Sequence, residues 1–270
     1  MTDPSVACLP VRSPDELRAL ASVAEAVFPS PRRPAGWFER KLEREGVRPE
    51  LSVVAVDAGS IQGYLLLGTA PSQPDTARGA GVGLCPAYRG RGIGPRLMKV
   101  AADLAREAGL SRLEFLAEPA RLPWYTRQGF TVVREELTLL AAPARPDDPV
   151  VDWQPATEPD SPGHPSWSWI PAFWQRTPAD QRRLLQAEWQ GLRLRAWLSR
   201  EGSAWLVQRL ESDAPLDDLD GVDQARAVAT LRSIDRDDPL LLHPVAADAP
   251  WLATLSWPVI QRAFVVRRAL

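Results

Sequence analysis

Val82-Gly83-Leu84-Cys85-Pro86-Ala87-Tyr88-Arg89-Gly90-Arg91-Gly92-Ile93-Gly94 is the stretch whose reading decides the fold. It reads as the end of an apolar strand, a tight glycine-rich turn, and a helix running from Pro95 to Ala108. A strand feeding a glycine turn into a helix N-terminus presents a row of unpaired backbone N–H groups, where the helix dipole adds its positive end. Glycines at 90, 92 and 94 permit positive φ and remove the Cβ atoms that would hold a phosphate away from those amides. The turn is therefore built to receive an anion. Two phosphate loops are excluded on particulars. A Walker loop needs Gly-Lys-Ser/Thr, whereas Gly94 is followed by Pro95-Arg96. A dinucleotide fold carries its glycines after the first strand, with an acidic residue about 20 positions on. Here the loop follows the fourth strand.

Upstream, Ala7–Arg12 reads as a first strand. Ser13-Pro14-Asp15-Glu16 then forms a capping box with proline at the first helical position. Leu17, Leu20, Ala21, Ala24 and Phe28 follow at helical spacing, and a second helix is expected from Ala35 to Glu45, closed by Gly46. Leu51–Val56 and Ile61–Gly68 form a hairpin, Pro71–Pro74 a loop, and Ala80–Leu84 the strand that opens the motif. Downstream, Leu97, Ala101, Leu104 and Ala108 make a helix stripe stopped by Gly109. Leu113–Ala117 alternates like a strand, Leu122–Gln128 is a short helix closed by Gly129, and Thr131–Leu140 is a long strand. The order is β-α-α-β-β-β-α-β-α-β.

Residues 143–166 are dense in Pro, Asp and Ala without apolar periodicity, which marks a linker. Beyond it, Thr177-Pro178-Ala179-Asp180 predicts a helix to Gln190. Leu192–Leu198 and Ala204–Leu210 make a hairpin, and helix, strand, short helix and strand follow. An ungapped shift of the first half by 127 residues superposes Pro123-Trp124-Tyr125 on Pro250-Trp251-Leu252 and Leu113–Leu116 on Leu240–His243. The C-terminal region reads as a diverged second copy. In it, Leu216-Asp217-Asp218-Leu219-Asp220-Gly221 stands opposite the glycine loop, and three carboxylates there repel a pyrophosphate.

Arg89-Gly90-Arg91-Gly92-Ile93-Gly94 fits the pattern Arg/Gln-x-x-Gly-x-Gly/Ala, and Tyr125-Thr126-Arg127-Gln128-Gly129-Phe130 follows about thirty residues later, with a helix and a strand between them. Together these segments resemble the GNAT superfamily of N-acetyltransferases, over nearly all of residues 5–140. The resemblance implies an α/β (α+β) fold of two GNAT-like domains, each a mixed, mostly antiparallel twisted sheet flanked by helices. The domains would be 1–142, carrying an acyl-CoA site, and 167–270, a degenerate copy without one.

It also implies acetyl-CoA as co-substrate. Loop amides from Arg89 to Gly94, running into Pro95, would hold the pyrophosphate, and Arg89, Arg91 and Arg96 would add charge. Val82, Gly83 and Leu84 would pair with the pantetheine arm, and the amide of Leu84 or Cys85 would polarise the thioester carbonyl. Cys85 is a small apolar neighbour of the acyl group rather than a nucleophile, because the family transfers directly to the amine. Tyr125 is the catalytic candidate, a phenol able to protonate the departing thiolate. A buried aromatic with a structural hydroxyl partner is the competing reading. Two departures stand out. Glu118 occupies the position where the family often has Asn, and the opening strand carries no acidic residue to act as base, which leaves water, a backbone carbonyl or a residue such as Asp75.

The expected activity is an acyl-CoA-dependent N-acyltransferase acting on a small-molecule or peptide amine. The alternative is a non-catalytic acyl-CoA-binding or regulatory protein. A net charge of -2 gives no basis for a nucleic-acid or membrane partner. Two cysteines, Cys8 and Cys85, argue against a disulfide framework, and two histidines, His164 and His243, leave too few soft ligands for a metal site. No apolar run reaches membrane-spanning length and the N-terminus lacks a signal-peptide core, so the expected chain is cytoplasmic, a monomer or homodimer. The tryptophans crowding the C-terminal region, Trp153, Trp167, Trp169, Trp174, Trp189, Trp197, Trp205, Trp251 and Trp257, read as packing groups before they read as an aromatic pocket.

Overall fold

A computed structural model describes residues 5–29, 34–143, 145–157, 170–234 and 238–270. His164, Trp167, Trp169 and residues 158–166 of the linker lie outside the described residues. The elements in chain order are β1 (Ala7–Pro10), α1 (Pro14–Ala19), α2 (Ala21–Val27), α3 (Trp37–Arg44), β2 (Val53–Asp57), β3 (Ser60–Ala70), β4 (Gln73–Leu84), α4 (Ile93–Glu107), β5 (Arg112–Ala117), α5 (Leu122–Arg127) and β6 (Thr131–Leu140). There follow β7 (Gln154–Pro155), α6 (Ile170–Arg176), β8 (Arg182–Trp189), β9 (Leu192–Glu201), β10 (Ala204–Ser212), α7 (Gly221–Ala229), β11 (Leu240–Ala246), α8 (Leu252–Leu255) and β12 (Val259–Ala269). Short 3-10 turns connect several of them. Among the described residues no helix is long and apolar enough to cross a membrane.

The chain divides into two compact units, Met1–Val133 with Val265–Leu270, and Arg134–Phe264. In the first, the strands run β1-β2-β3-β4-β5, and the end of β12 lies beside β5. The β4–β5 pair is parallel, while β1–β2, β2–β3 and β3–β4 are antiparallel. Alternation gives this sheet two apolar faces. Val54, Tyr64, Leu66 and Ala80 pack with Leu17, Leu20, Ala24, Val27, Phe38 and Leu42 of the first three helices. On α4, Ile93, Leu97, Met98, Ala101 and Ala105 form the buried stripe, and that helix lies against β1 to β4. Beside β5, Arg267 reaches Glu114 at 2.7 Å, which compensates a carboxylate only 4% exposed. In the second unit the residues of β12 up to Phe264 are followed by β6 from Arg134, then β11, β10, β9, β8 and β7, with the β10–β11 pair parallel.

Five expectations need correction. The apolar stripe from Leu17 to Phe28 is carried by two short helices. The Leu20 N–H donates to Leu17 O at 3.1 Å, a 3-10 closure that ends α1 while keeping Leu17, Leu20, Ala24 and Val27 buried together. The capping box is half made, since Ser13 Oγ accepts from Glu16 N at 3.2 Å but the Glu16 carboxylate accepts from Arg12 N, not from Ser13. The strand before the glycine loop begins at Gln73, not Ala80, because the turn after Ala70 is only Pro71-Ser72.

The predicted helix from Thr177 to Gln190 is a single 3-10 turn followed by the strand β8. Its partner β9 is reached through Gln190 and Gly191, with φ of 50° and 80°, a turn that matches the twist of paired strands. Finally, the internal repeat has an offset of 128, not 127. The starts of α4 and α7 (93, 221), β5 and β11 (112, 240), and β6 and β12 (131, 259) all differ by that number.

Candidate active site

β5 stays in register with β4 only from Thr76 to Arg78, opposite Arg112 to Glu114. Beyond Arg78 the strands part. Two features sit at the divergence. Ala80 is an extra residue in β4, since Leu66 pairs with Gly81 and Leu67 with Gly79. Such a bulge bends the strand that carries it. The Phe115 ring also lies over Gly79, where a Cβ would stand 2.0 Å from Phe115 Cδ1. Past this point β4 keeps β3 on one edge and has no strand partner on the other among the described residues. Cys85 N donates to Gln62 O at 2.8 Å, so Cys85 points its backbone inward to β3. By alternation the N–H and C=O of Leu84 and Val82 face the open edge, while Gly83 faces β3. Of the two amides proposed to meet a thioester oxygen, the one at Cys85 is committed to Gln62, and the one at Leu84 faces outward.

The glycine loop begins where β4 ends. Tyr88 N donates to Cys85 O at 2.9 Å and Arg89 N to Pro86 O at 3.2 Å, so the amide of Arg89 is not available to a ligand. Gly90 and Gly92 hold φ of 76° and 73°, the left-handed region that a side chain resists. Gly92 is the N-cap of α4, and no side chain caps the helix. The amides of Gly90, Gly92, Ile93 and Gly94 have no acceptor among the described residues, and Pro95 has no N–H to offer. Ile93 is fully buried, which anchors the start of the helix. Gly94 has a packing role that the spacing concealed, because a Cβ there would stand 3.3 Å from Trp124 Cζ2 on α5.

The three arginines of the motif divide. Arg89 turns back, its Nε donating to Leu84 O at 3.0 Å and its Nη2 to Val27 O at 3.3 Å. Arg96 donates to Val6 O at 2.6 Å. Arg91 lies with Cζ 5.2 Å from the centroid of the Tyr88 ring, and the Tyr88 hydroxyl donates to Asp57 Oδ2 at 2.9 Å.

Tyr125 lies on α5 in an aromatic cluster with Trp124, Phe115 and Phe130, at centroid separations of 4.8, 5.4 and 5.5 Å. Its hydroxyl has no hydrogen-bond partner among the described residues, and burial pushes the phenol well above its ordinary range. The Glu118 carboxylate adds to that rise, and Arg121 opposes it. Glu118 itself is exposed, just past β5. Asp75 sits nine residues from Leu84 along β4, about 30 Å away. It is held low first by the Thr76 hydroxyl and then by Arg112, so this structure gives it no part in the site.

The second unit repeats the backbone device. β10 and β11 pair in parallel only from Trp205 to Val207, and β10 skips Gln208 against β9, the counterpart of Ala80 at the offset of 128. The helix start differs. The counterpart of Gly92 is Asp220, and its carboxylate accepts from Val222 N at 2.9 Å and Asp223 N at 2.8 Å. Amides left open on α4 are closed on α7 by the chain's own anion. The corrected offset places Ala253, not Leu252, opposite Tyr125, and neither has a proton to give.

The acetyltransferase (GNAT) family model matches residues 17–130. No curated protein sequence matches the chain. Among solved structures, a candidate acetyltransferase from Pyrococcus horikoshii is similar with a TM-score of 0.68 at 13% identity, covering 100% of this chain and 91% of that one. A GCN5-related N-acetyltransferase from Sphaerobacter thermophilus gives 0.63 at 12% identity, with 100% and 97% covered. A tandem GNAT protein from the clavulanic acid biosynthesis pathway gives 0.60 at 16% identity, with 98% of each chain covered. At these identities the likeness establishes the fold.

Proposed function

We propose, from the match of residues 17–130 to the acetyltransferase (GNAT) family model, that the first unit transfers an acetyl group from acetyl-CoA to an amine by direct attack. One observation carries the reading: an uncapped helix start with two positive-φ glycines stands at the end of a strand whose outer edge is open. When bound, acetyl-CoA supplies an acyl thioester. Val82 offers its outward N–H and C=O and Leu84 its outward N–H to the pantetheine arm, and the amides between Gly90 and Gly94 hold the pyrophosphate. Leu84 N–H is the donor for charge developing on the carbonyl oxygen. The amine nitrogen bonds to the acyl carbon and loses a proton to water, and the carbon–sulfur bond breaks.

Tyr125 serves the departing sulfur in a narrower way than the motif implies. Burial raises the phenol above its ordinary value, so it holds its proton more tightly than a free tyrosine and serves the sulfur as a hydrogen-bond donor. The second unit holds no acyl-CoA, because Asp220 occupies the amides that would bind it. Thiol release measured on the full chain across a panel of primary amines tests the reading, with Tyr125→Phe beside it. Turnover on at least one amine, reduced in the variant, is expected. Acetyl-CoA binding without turnover on any amine would instead support a non-catalytic binding protein, and absence of binding would refute both.

A further inference from the structure

We propose that Arg89 is a positioning residue for the amine, an inference that rests on the function proposed above. Its guanidinium caps the C-terminus of α2 and ties it to the last carbonyl of β4, which fixes the wall beside which the amine meets the acyl carbon. α2 supplies no cation for its own end. No basic residue lies in its last turn, and Phe28 follows at φ −128° and ψ 71°, where a left-handed glycine is usual. The carbonyl of Val27 instead accepts from Arg89 Nη2 at 3.3 Å, a donor 62 residues away. A guanidinium there also meets the negative end of the helix dipole. The same side chain donates from Nε to Leu84 O at 3.0 Å, so its planar fork joins a helix end to a strand end. The strand is shaped to receive the helix. A Cβ on Gly83 would stand 2.1 Å from Val27 Cγ1 and 3.3 Å from the Phe28 ring, so a glycine is what lets α2 come this close. Cys85, two residues on and on the same face, packs against the cluster that holds Val27. Leu84, whose N–H is the donor for the acyl oxygen, lies between them. α4 packs on the opposite face of the sheet from this cluster. With the pyrophosphate held at the start of α4, the side left for the amine is that of α2. Arg89 directly precedes Gly90, so the residue that opens the glycine loop also secures that side.

The test uses the full chain as wild type, Arg89→Met, Arg89→Lys and Gly83→Ala. Thiol release with n-butylamine, tyramine, putrescine and a lysine-containing peptide as acceptors gives KM and kcat for each amine turned over, and titration calorimetry gives the acetyl-CoA dissociation constant. Misplacing an orienting group by about 1 Å costs up to about a hundredfold in rate. Arg89→Met is therefore expected to lower kcat/KM for the amine by at least about tenfold, mainly through KM, while acetyl-CoA affinity stays within about threefold of wild type. Gly83→Ala, which pushes Val27 away with Arg89 intact, should show the same split. A merely structural arginine would lower the melting temperature and leave the kinetic constants of the folded protein unchanged, which overturns the inference. So does a loss of acetyl-CoA affinity in Arg89→Met of more than about threefold that Arg89→Lys restores, the behaviour of a phosphate ligand. If Arg89→Met does not fold, Gly83→Ala decides, and unchanged amine kinetics in it overturn the inference. Turnover of none of these amines by the wild type overturns the proposed function and this inference with it, whereas turnover without the split overturns this inference alone.

Discussion

The contrast between Gly92 and Asp220 yields the sharpest prediction, Gly92→Asp. The variant gives α4 the carboxylate that closes α7, where Asp220 accepts two amides at 2.9 and 2.8 Å. A side chain held at φ 73° costs about 1 kcal/mol, and the left-handed backbone of Gly92 differs from the extended one that lets Asp220 cap its helix, so no cap hydrogen bond is credited against that cost. Folding stability should therefore fall by about 1 kcal/mol. Binding should change greatly. A unit charge about 4 Å from a phosphate charge, at an effective dielectric constant of about 20, contributes about 4 kcal/mol of repulsion. That energy corresponds to about a thousandfold in affinity, and solvent screening at the loop surface reduces it to about a hundredfold. Titration calorimetry with acetyl-CoA reads the affinity, and thermal unfolding reads the stability. Gly92→Ala keeps the backbone strain without the charge and should fall between the wild type and Gly92→Asp. Binding by Gly92→Asp within about threefold of wild type would refute the reasoning, as would an equal loss in Gly92→Ala.

The converse variant, Asp220→Ala, removes the cap of α7 and should cost about 1 kcal/mol, seen as a melting temperature lower by a few degrees with acetyl-CoA affinity unchanged. Tyr125 has its phenol raised above its ordinary value of 10.0 chiefly by burial. A folded pKa above the unfolded one contributes stability that is complete below pH 10 and lost as pH rises past it, so denaturant titrations of Tyr125→Phe should show a shallower alkaline decline. Gly79→Ala would set a Cβ 2.0 Å from Phe115 Cδ1, and the overpacking should destabilise the chain by about 1–3 kcal/mol in denaturant unfolding, against no change if the β4–β5 divergence is loose.

Much of this architecture can be read from local chemistry. The end of α4, the limits of β6, the hairpin of β9 and β10, and the stops at Gly109 and Gly129 all follow from periodicity and glycine placement, whereas α4 starts at Ile93, two residues before the expected Pro95; both stop glycines hold positive φ, 79° and 82°. What escapes is set by partners distant in sequence. β8 looks helical because Thr177-Pro178-Ala179-Asp180 is a strong start signal, while the turn at Gln190-Gly191 that makes it a strand needs β9 to have meaning. That residues 134–140 belong to the second unit and 265–270 to the first leaves no local trace.

At the site, the spacing of the glycines and of Tyr125 is visible in the sequence, but the division of labour is not. Gly90 and Gly92 serve conformation, whereas Gly94 admits Trp124. Arg89 and Arg96 look like phosphate ligands until their carbonyl partners are seen. The Asp57–Tyr88 bond spans 31 residues and has no motif. Asp220 did carry a readable signal, an acidic N-cap before Gly-Val-Asp, hidden by an offset one residue short.

The central claim is that this chain holds a single acyl-CoA site, in its first unit. Titration of the full chain with acetyl-CoA, repeated on Gly92→Asp, tests it most directly. The account predicts one molecule bound per chain and none detectable at matched concentration in the variant. Two molecules bound, or one that persists undiminished in Gly92→Asp, would contradict it.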